Sequence, residues 1–495
     1  GRNIQCGNSL IGPDYYEGQQ LTMGGFADED ERARVNVFDW KSAFPQVFIQ
    51  GGFDAVIGNP PYVRQESLSE FKDYFQKHYK SYDGVADLYV YFIEKGIRLL
   101  RKDGLYSIIV SSSFLRAAYG KGLRTFLNQN STVLRLIDFG GLPIFENAKD
   151  TYVCIPLITP NKDSQQFIEV CKVSEIMSAG LHTFVAENSY AIPASQFSHE
   201  SWSLDNTEKI ELFQKIVDCS VSLKEYTKGQ ICYGIKTGLN QAFVIDTQTK
   251  ERLIAADPAS AEIIKPLLQG EDIRRWHINH KDRWLIFTRR GIDINTYPAV
   301  KDYLMNWKED LTPKQNKDQK KGRKPGRYKW YEIQDDVAYY AVFDGPKIIY
   351  PDIAKGPRFY FDREGHYLAN TAYAIGTNDL YLLGILNSKL FWFSISNISI
   401  PFGIRAGEYR YRLIAQYMEK VPIRAIDFND PADRARHESM AALVTRMLDL
   451  HQRNPRTPQE KESLAREVES TDRRIDALVY ELYGLSEDEV RIVEG

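Results

Sequence analysis

The chain has 495 residues, more than one hydrophobic core organises, so two or three domains are expected. Its formal charge of −3 excludes a protein held to nucleic acid by overall charge; any such contact must come from local basic patches. No apolar run approaches the length that spans a bilayer and no signal peptide is visible, so no membrane partner and a cytoplasmic location are expected. Cysteines at 6, 154, 171, 219 and 232 form no CxxC, and the eight histidines show no zinc spacing, so no metal site is expected.

The segment Arg2 to Leu10 reads as a strand end followed by a turn that contains Asn8 and Ser9. Residues 13–50 are polar and mixed and are expected as loops. No GxGxxG turn occurs in the first fifty residues; Gly24-Gly25 and Gly51-Gly52 are isolated pairs. Phe53-Asp54-Ala55-Val56-Ile57-Gly58 reads as a buried parallel strand, and Asn59-Pro60-Pro61-Tyr62 follows as a stiff loop. Two prolines fix φ and offer carbonyls without competing N–H groups. The carboxyl end of a strand is where open α/β sheets place ligands. The Asn59 side-chain oxygen and the Pro60 carbonyl can accept both hydrogens of an exocyclic amino group, while the Tyr62 ring stacks on the flat face behind it. An aryl amine is a poor nucleophile because its lone pair is delocalised into the ring. Holding both N–H bonds out of the ring plane localises that pair. A plain turn after a strand accounts for Asn-Pro alone equally well.

The ten residues Phe53 to Tyr62 resemble the catalytic motif of S-adenosylmethionine-dependent amino-methyltransferases. The closest match is the adenine-specific DNA methyltransferases of restriction–modification systems, in their Taq-like and type IIG branch. The resemblance implies a partial Rossmann-like, doubly wound α/β sheet with S-adenosylmethionine as cofactor and double-stranded DNA as partner. It implies catalytic roles for Asn59, Pro60, Pro61 and Tyr62, and a flipped adenine stacked between Tyr62 and Phe145. It places Asn8, Ser9, Pro61 and Asp87 around the cofactor, although Asp is the commoner residue at the position of Asn8. The missing glycine loop implies that an amino-terminal part lies upstream. Enzymes sharing the motif also methylate rRNA bases or protein glutamine, so the chemistry is better specified than the substrate. Two alternatives stay open: a bifunctional type IIG enzyme whose magnesium-dependent nuclease lies upstream, and a specificity module without turnover of its own.

Further along, helices are expected at Ser67–Tyr79 and Asp87–Arg101, the second ended by Lys102-Asp103-Gly104 before a strand Leu105–Val110. A helix Phe114–Gln129 and strands over 132–139, 152–158 and 166–173 complete the first domain, 1–180, which ends in an antiparallel hairpin. The Gly140–Asn147 loop carries Phe145. A linker is expected at 181–206.

The second domain, 207–428, is expected to be α+β. Gln230 to Asp246 reads as strand, glycine turn, strand. It resembles the opening of the target-recognition domain in the same enzymes, as do Lys265–Ile273, Lys347–Pro351 and Leu386–Leu390 in the same order. Three basic segments are candidates for phosphate contact. Lys314 to Lys329 holds eight Lys/Arg against one Asp and includes Lys321, Arg323 and Lys324. Arg274 and Arg275 form a short cluster, and Arg405, Arg410 and Arg412 interleave with tyrosines. Lys236 completes the DNA-binding set. A charge run is equally a solvated face, and which residue reads which base stays open. The tail, 429–495, is expected as a helical hairpin. One stripe is Met440, Leu443, Val444, Met447, Leu448 and His451; Thr457-Pro458-Gln459-Glu460 opens the second helix as a capping box. A seam of Leu464, Val468, Thr471, Ile475, Leu478 and Leu482 packs on the chain itself or on a second copy; a monomer is expected over a dimer.

Overall fold

The computed structural model describes residues 4–17, 29–63, 65–145, 152–162, 166–173, 180–205, 207–315, 319–399, 401–405 and 408–495. It contains two compact units: 1–211 with 400–409, and 212–399 with 410–495. Among the described residues no helix is long and apolar enough to cross a membrane.

The first unit is built on a seven-stranded mixed sheet. Its strands are β1 (Phe53–Gly58), β2 (Leu100–Ile108), β3 (Val110–Ser111), β4 (Thr132–Asp138), β5 (Val153–Thr159), β6 (Phe167–Lys172) and β7 (Tyr190–Pro193), in the order β1-β2-β5-β4-β6-β7 with β3 beside β5. β1 runs parallel to β2 and β4 parallel to β6. β5 inserts antiparallel between β2 and β4, so the expected hairpin lies within the sheet. The α/β class stands, and several local expectations are corrected. β1 is an edge strand among the described residues, not a buried one: only β2 pairs with it, and Ile57 is 82% exposed. The stretch 29–49 is not loop but three short helices: α1 (Glu29–Val35), α2 (Trp40–Ala43) and α3 (Pro45–Ile49). Asp39 starts α2 by accepting from the N–H groups of Lys41 and Ser42.

Helix α4 (Lys72–His78) precedes α5 (Tyr89–Leu99), which packs so closely on β2 that a Cβ on Gly96 would lie 2.1 Å from the Tyr106 ring. Lys102-Asp103-Gly104 does not separate α5 from β2. It bulges within β2, whose register against β1 jumps between Phe53↔Leu100 and Ala55↔Leu105. The helix expected at 114–129 is confined to α6 (Lys121–Asn130), after two short 3-10 turns. The expected linker 181–206 is instead α7 (Leu181–Asn188) followed by β7, which pairs antiparallel with β6 and adds to the sheet. Burial of Ile192, Phe197, Trp202 and Leu204 in the same core explains the difference.

In the second unit, Ile231–Tyr233 and Val244–Ile245 do not form the expected hairpin. The first pairs with Ala372–Ile375 and the second with Trp284–Ile286, in different four-stranded sheets. A short helix, Asn240–Phe243, separates them. The tail is a helical hairpin, Pro431–Gln452 and Pro458–Leu482, with the capping box at Thr457 formed and a further helix at Glu487–Glu494. It is not a separate domain: Met440, Val444 and Ile475 share one core with Tyr381 and Leu382. The buried part of the expected seam, Thr471, Ile475 and Leu482, is therefore covered within the unit.

His451 sits near the end of the first tail helix, stacked on His277 with ring centroids 5.0 Å apart, and its Nε2 is buried without a partner. Burial, then the nearby His277 and Arg275, hold its pKa down at about 4, below the ordinary 6.5. The unfolded chain therefore binds the extra proton first. The resulting stability is present above pH 6.5 and lost as pH falls toward 4. With allowance for solvent screening, we expect His451→Phe to remove about 1–2 kcal/mol of the acid-induced loss between these limits. Urea unfolding of both proteins across the window measures it.

Candidate active site

Two backbone ties fix the loop that leaves β1. The Ile109 N–H donates to the Gly58 carbonyl (3.1 Å), and the Leu88 N–H donates to the Val63 carbonyl (3.2 Å). Within the loop the Val63 N–H turns back to the Pro61 carbonyl (3.0 Å). Pro60 is buried, whereas Asn59 and Pro61 are exposed. The Asn59 amide is thus left outside the protein's own hydrogen bonding at the carboxyl end of β1. It lines a cavity of 470 Å3 together with Ser9, Pro60 and Pro61. A slot of this volume with apolar walls and a few polar groups suits a nucleoside-sized ligand.

Tyr62 is half-exposed, and its hydroxyl donates to the Ile109 carbonyl at 3.5 Å. Burial raises its pKa to about 12, so the phenol stays neutral. Its ring meets Phe145 edge to face, with centroids 5.5 Å apart and planes at 68°. The two rings expected to flank a base lie side by side, edge to face and not as an open sandwich. A base between parallel rings needs about 7 Å, two van der Waals separations, so the pair is closed.

Of the residues expected around a cofactor, Ser9 and Pro61 face the cavity. Asn8 does not line it: its Oδ1 accepts from the Leu10 N–H at 3.3 Å, which closes the turn. Asp87 is half-buried ahead of α5 and close enough to raise the pKa of the Tyr89 phenol. Two lining residues carried no motif. Trp40 donates from Nε1 to the Ser9 carbonyl (3.0 Å); the N-cap pattern Asp39-Trp40-Lys41-Ser42 was its only sequence signal. Lys95 stands on α5, and burial holds its ammonium below the usual lysine range. No group of three His, Cys, Asp or Glu side chains able to hold a metal exists among the described residues.

The basic candidates of the second unit divide. Arg323 is 4% exposed, and its guanidinium donates to five backbone carbonyls, those of Leu311, Thr237, Glu332, Lys329 and Trp330. Its pKa is lowered to about 10 by burial. Arg275 makes a bidentate pair with Asp472 (2.6 Å each) and donates twice to the Asn387 carbonyl. Both are fold-holding rather than phosphate-gripping residues, because planar guanidinium forks suit carbonyl and carboxylate clusters. Arg274, half-buried, donates to the carbonyls of Glu271 and Ile273 in its own turn. Lys236, Lys324 and Arg412 are exposed, Lys321 is exposed beside Glu309 (3.0 Å), and Arg410 is half-buried. The Arg405 side chain lies outside the described residues, as do 316–318 of the basic stretch and 146–151 of the Phe145 loop.

Comparison with known proteins agrees with both halves of this layout. Residues 3–145 match the Eco57I restriction-modification methylase family, and residues 265–423 match the TaqI-like C-terminal specificity domain. The chain thus joins a region similar to that methylase family to a region similar to that specificity domain. The type II methyltransferase M.BstVI of Geobacillus stearothermophilus is 26% identical over 89% of this chain and 75% of its own. The type II restriction enzyme and methyltransferase RM.Eco57I of Escherichia coli is 23% identical over 98% of this chain, which spans only 50% of that relative. Among solved structures, the type IIL restriction-modification enzyme MmeI in complex with DNA shares the fold. The TM-score is 0.60 at 15% identity, over 92% of this chain and 57% of that one.

Arg323→Ala leaves several buried carbonyls without donors. It should lower unfolding stability by about 3 kcal/mol or more. Lys321→Ala, at an exposed ion pair, should leave it unchanged within the error of the measurement. Urea denaturation of the two variants measures the contrast.

Proposed function

We propose that the chain is the catalytic and target-recognition part of a DNA adenine-N6 methyltransferase of a restriction–modification system. The observation that carries this reading is the outward Asn59 amide beside the Pro60 carbonyl, at the carboxyl end of β1 and on the wall of a nucleoside-sized cavity. The relatives in type II modification systems and the specificity-domain match support DNA as substrate. Bound S-adenosylmethionine supplies an electrophilic methyl group on a sulfonium. Ser9 and Pro61, which line the cavity, would hold it.

The chain's own work is positioning. Asn59 and Pro60 accept the two amino hydrogens and turn the lone pair out of the base plane. The amine loses its proton only after it has become a strong acid, so no His or Glu is needed in the loop. Extrusion of the adenine from a duplex costs a few kcal/mol. Stacking on Tyr62 returns about 1–3 kcal/mol of this. Since the Tyr62–Phe145 pair is closed, Phe145 must move aside as the base enters. The exposed Lys236, Lys321, Lys324 and Arg412 and the half-buried Arg410 remain the candidates for DNA contact.

A second reading is favoured by one observation: this chain covers half of a relative that is both restriction enzyme and methyltransferase. In it the same site belongs to a bifunctional protein, and a further segment pairs with the open edge of β1, since an exposed apolar edge strand is a pairing surface.

Asn59→Ala in the full-length protein should cut methyl incorporation into unmodified DNA at least about 100-fold, as loss of a transition-state contact does, with DNA affinity retained. Tritiated-methyl transfer and a filter-binding titration measure the two. Near-full turnover of the variant removes Asn59 from the mechanism.

A further inference from the structure

The loop that brings Phe145 to Tyr62 begins at Gly140-Gly141, and a residue far away in sequence holds it there. Tyr409 belongs to the 400–409 segment that packs within the first unit. Its hydroxyl accepts the Gly141 N–H. It also lies so near Gly140 that a Cβ built on this glycine would stand 2.3 Å from the phenol oxygen. Gly140 has φ +54°, in the left-handed region, and its N–H donates to the Asp138 carboxylate at the end of β4 (3.1 Å). The turn is thus clamped from both sides: Asp138 takes one N–H, Tyr409 takes the next, and no side chain fits between. From it the chain runs through Leu142 and Ile144, both packed in the small core under β4 and β5, to Phe145.

We infer that Tyr409 is a positioning residue for methyl transfer, latching the Gly140-Gly141 turn so that Phe145 closes on the base at Tyr62. The inference rests on the function proposed above for Tyr62 and Phe145. It gives Tyr409 a task different from that of its neighbours Arg410 and Arg412: it sets the catalytic loop and does not grip phosphate. Because a latch acts on closure after DNA is bound, its loss should appear in kcat and not in the KM for DNA. A residue that only supports the fold would lower stability and both constants together.

The test uses the full-length protein, S-adenosylmethionine and unmodified bulk DNA, with Tyr409→Phe, Gly140→Ala, Phe145→Ala and the Tyr409→Phe/Phe145→Ala double variant. Tyr409→Phe keeps the ring and removes only the acceptor oxygen. It should lower kcat about three- to tenfold, the worth of one hydrogen bond, with KM for DNA and the thermal midpoint unchanged. Gly140→Ala should lower kcat at least as far; should it fail to fold, Tyr409→Phe still decides. The double variant should be no slower than Phe145→Ala alone, because both changes disable one device. Wild-type kcat in Tyr409→Phe, or multiplying losses in the double variant, overturns the inference while leaving the site reading intact. Wild-type kcat in Phe145→Ala overturns the stacking role of Phe145 and this inference with it.

Discussion

The site depends on how the chain leaves β1. Ile109 ties Gly58 through its N–H and receives the Tyr62 hydroxyl on its carbonyl, while Leu88 at the head of α5 holds Val63. Between these ties the two prolines fix φ and contribute no N–H. The consequence is an Asn59 amide that the protein does not use internally, next to a carbonyl it cannot turn away. Selective recognition of an amino group needs such rigid acceptors, because a mobile asparagine would accept equally from water. The Tyr62 ring and the adjoining cavity wall inherit their position from that loop.

The same logic runs the other way in the second unit, where rigidity is obtained by turning charge inward. Arg323 gathers five carbonyls, and Arg275 joins Asp472 to the Asn387 carbonyl. Lys347, fully buried, pairs with Asp362, which also meets His366. These are irregular, loop-rich segments with short strands. Their carbonyls have few ladder partners, and buried cations supply the missing donors. A basic stretch in such a unit is therefore partly scaffold and partly surface.

In the first unit, glycines mark where elements approach too closely for any side chain. Gly96 lets α5 lie against the Tyr106 ring, and Gly140 leaves room for Tyr409. The first contact sets the packing of the helix that begins at the loop. The second concerns the aromatic that faces Tyr62. Both contacts join residues distant from the loop in sequence to the geometry around Asn59.

The sequence by itself determined the strand-and-loop Phe53–Tyr62, the α/β character of the first half and the capped helical tail. Each is written in local chemistry: an apolar run, paired prolines, a Thr-Pro-Gln-Glu box. Only the tertiary structure decided that β1 lies at an edge, that residues 181–205 add to the sheet, and that Ile231–Tyr233 and Val244–Ile245 part into different sheets. It also decided which arginines are spent inside, and that Tyr62 and Phe145 touch instead of standing apart. The reason is physical: strand partners and the acceptors around a guanidinium come from residues far apart along the chain. Local pattern specifies what a residue can do, and long-range packing specifies what it meets.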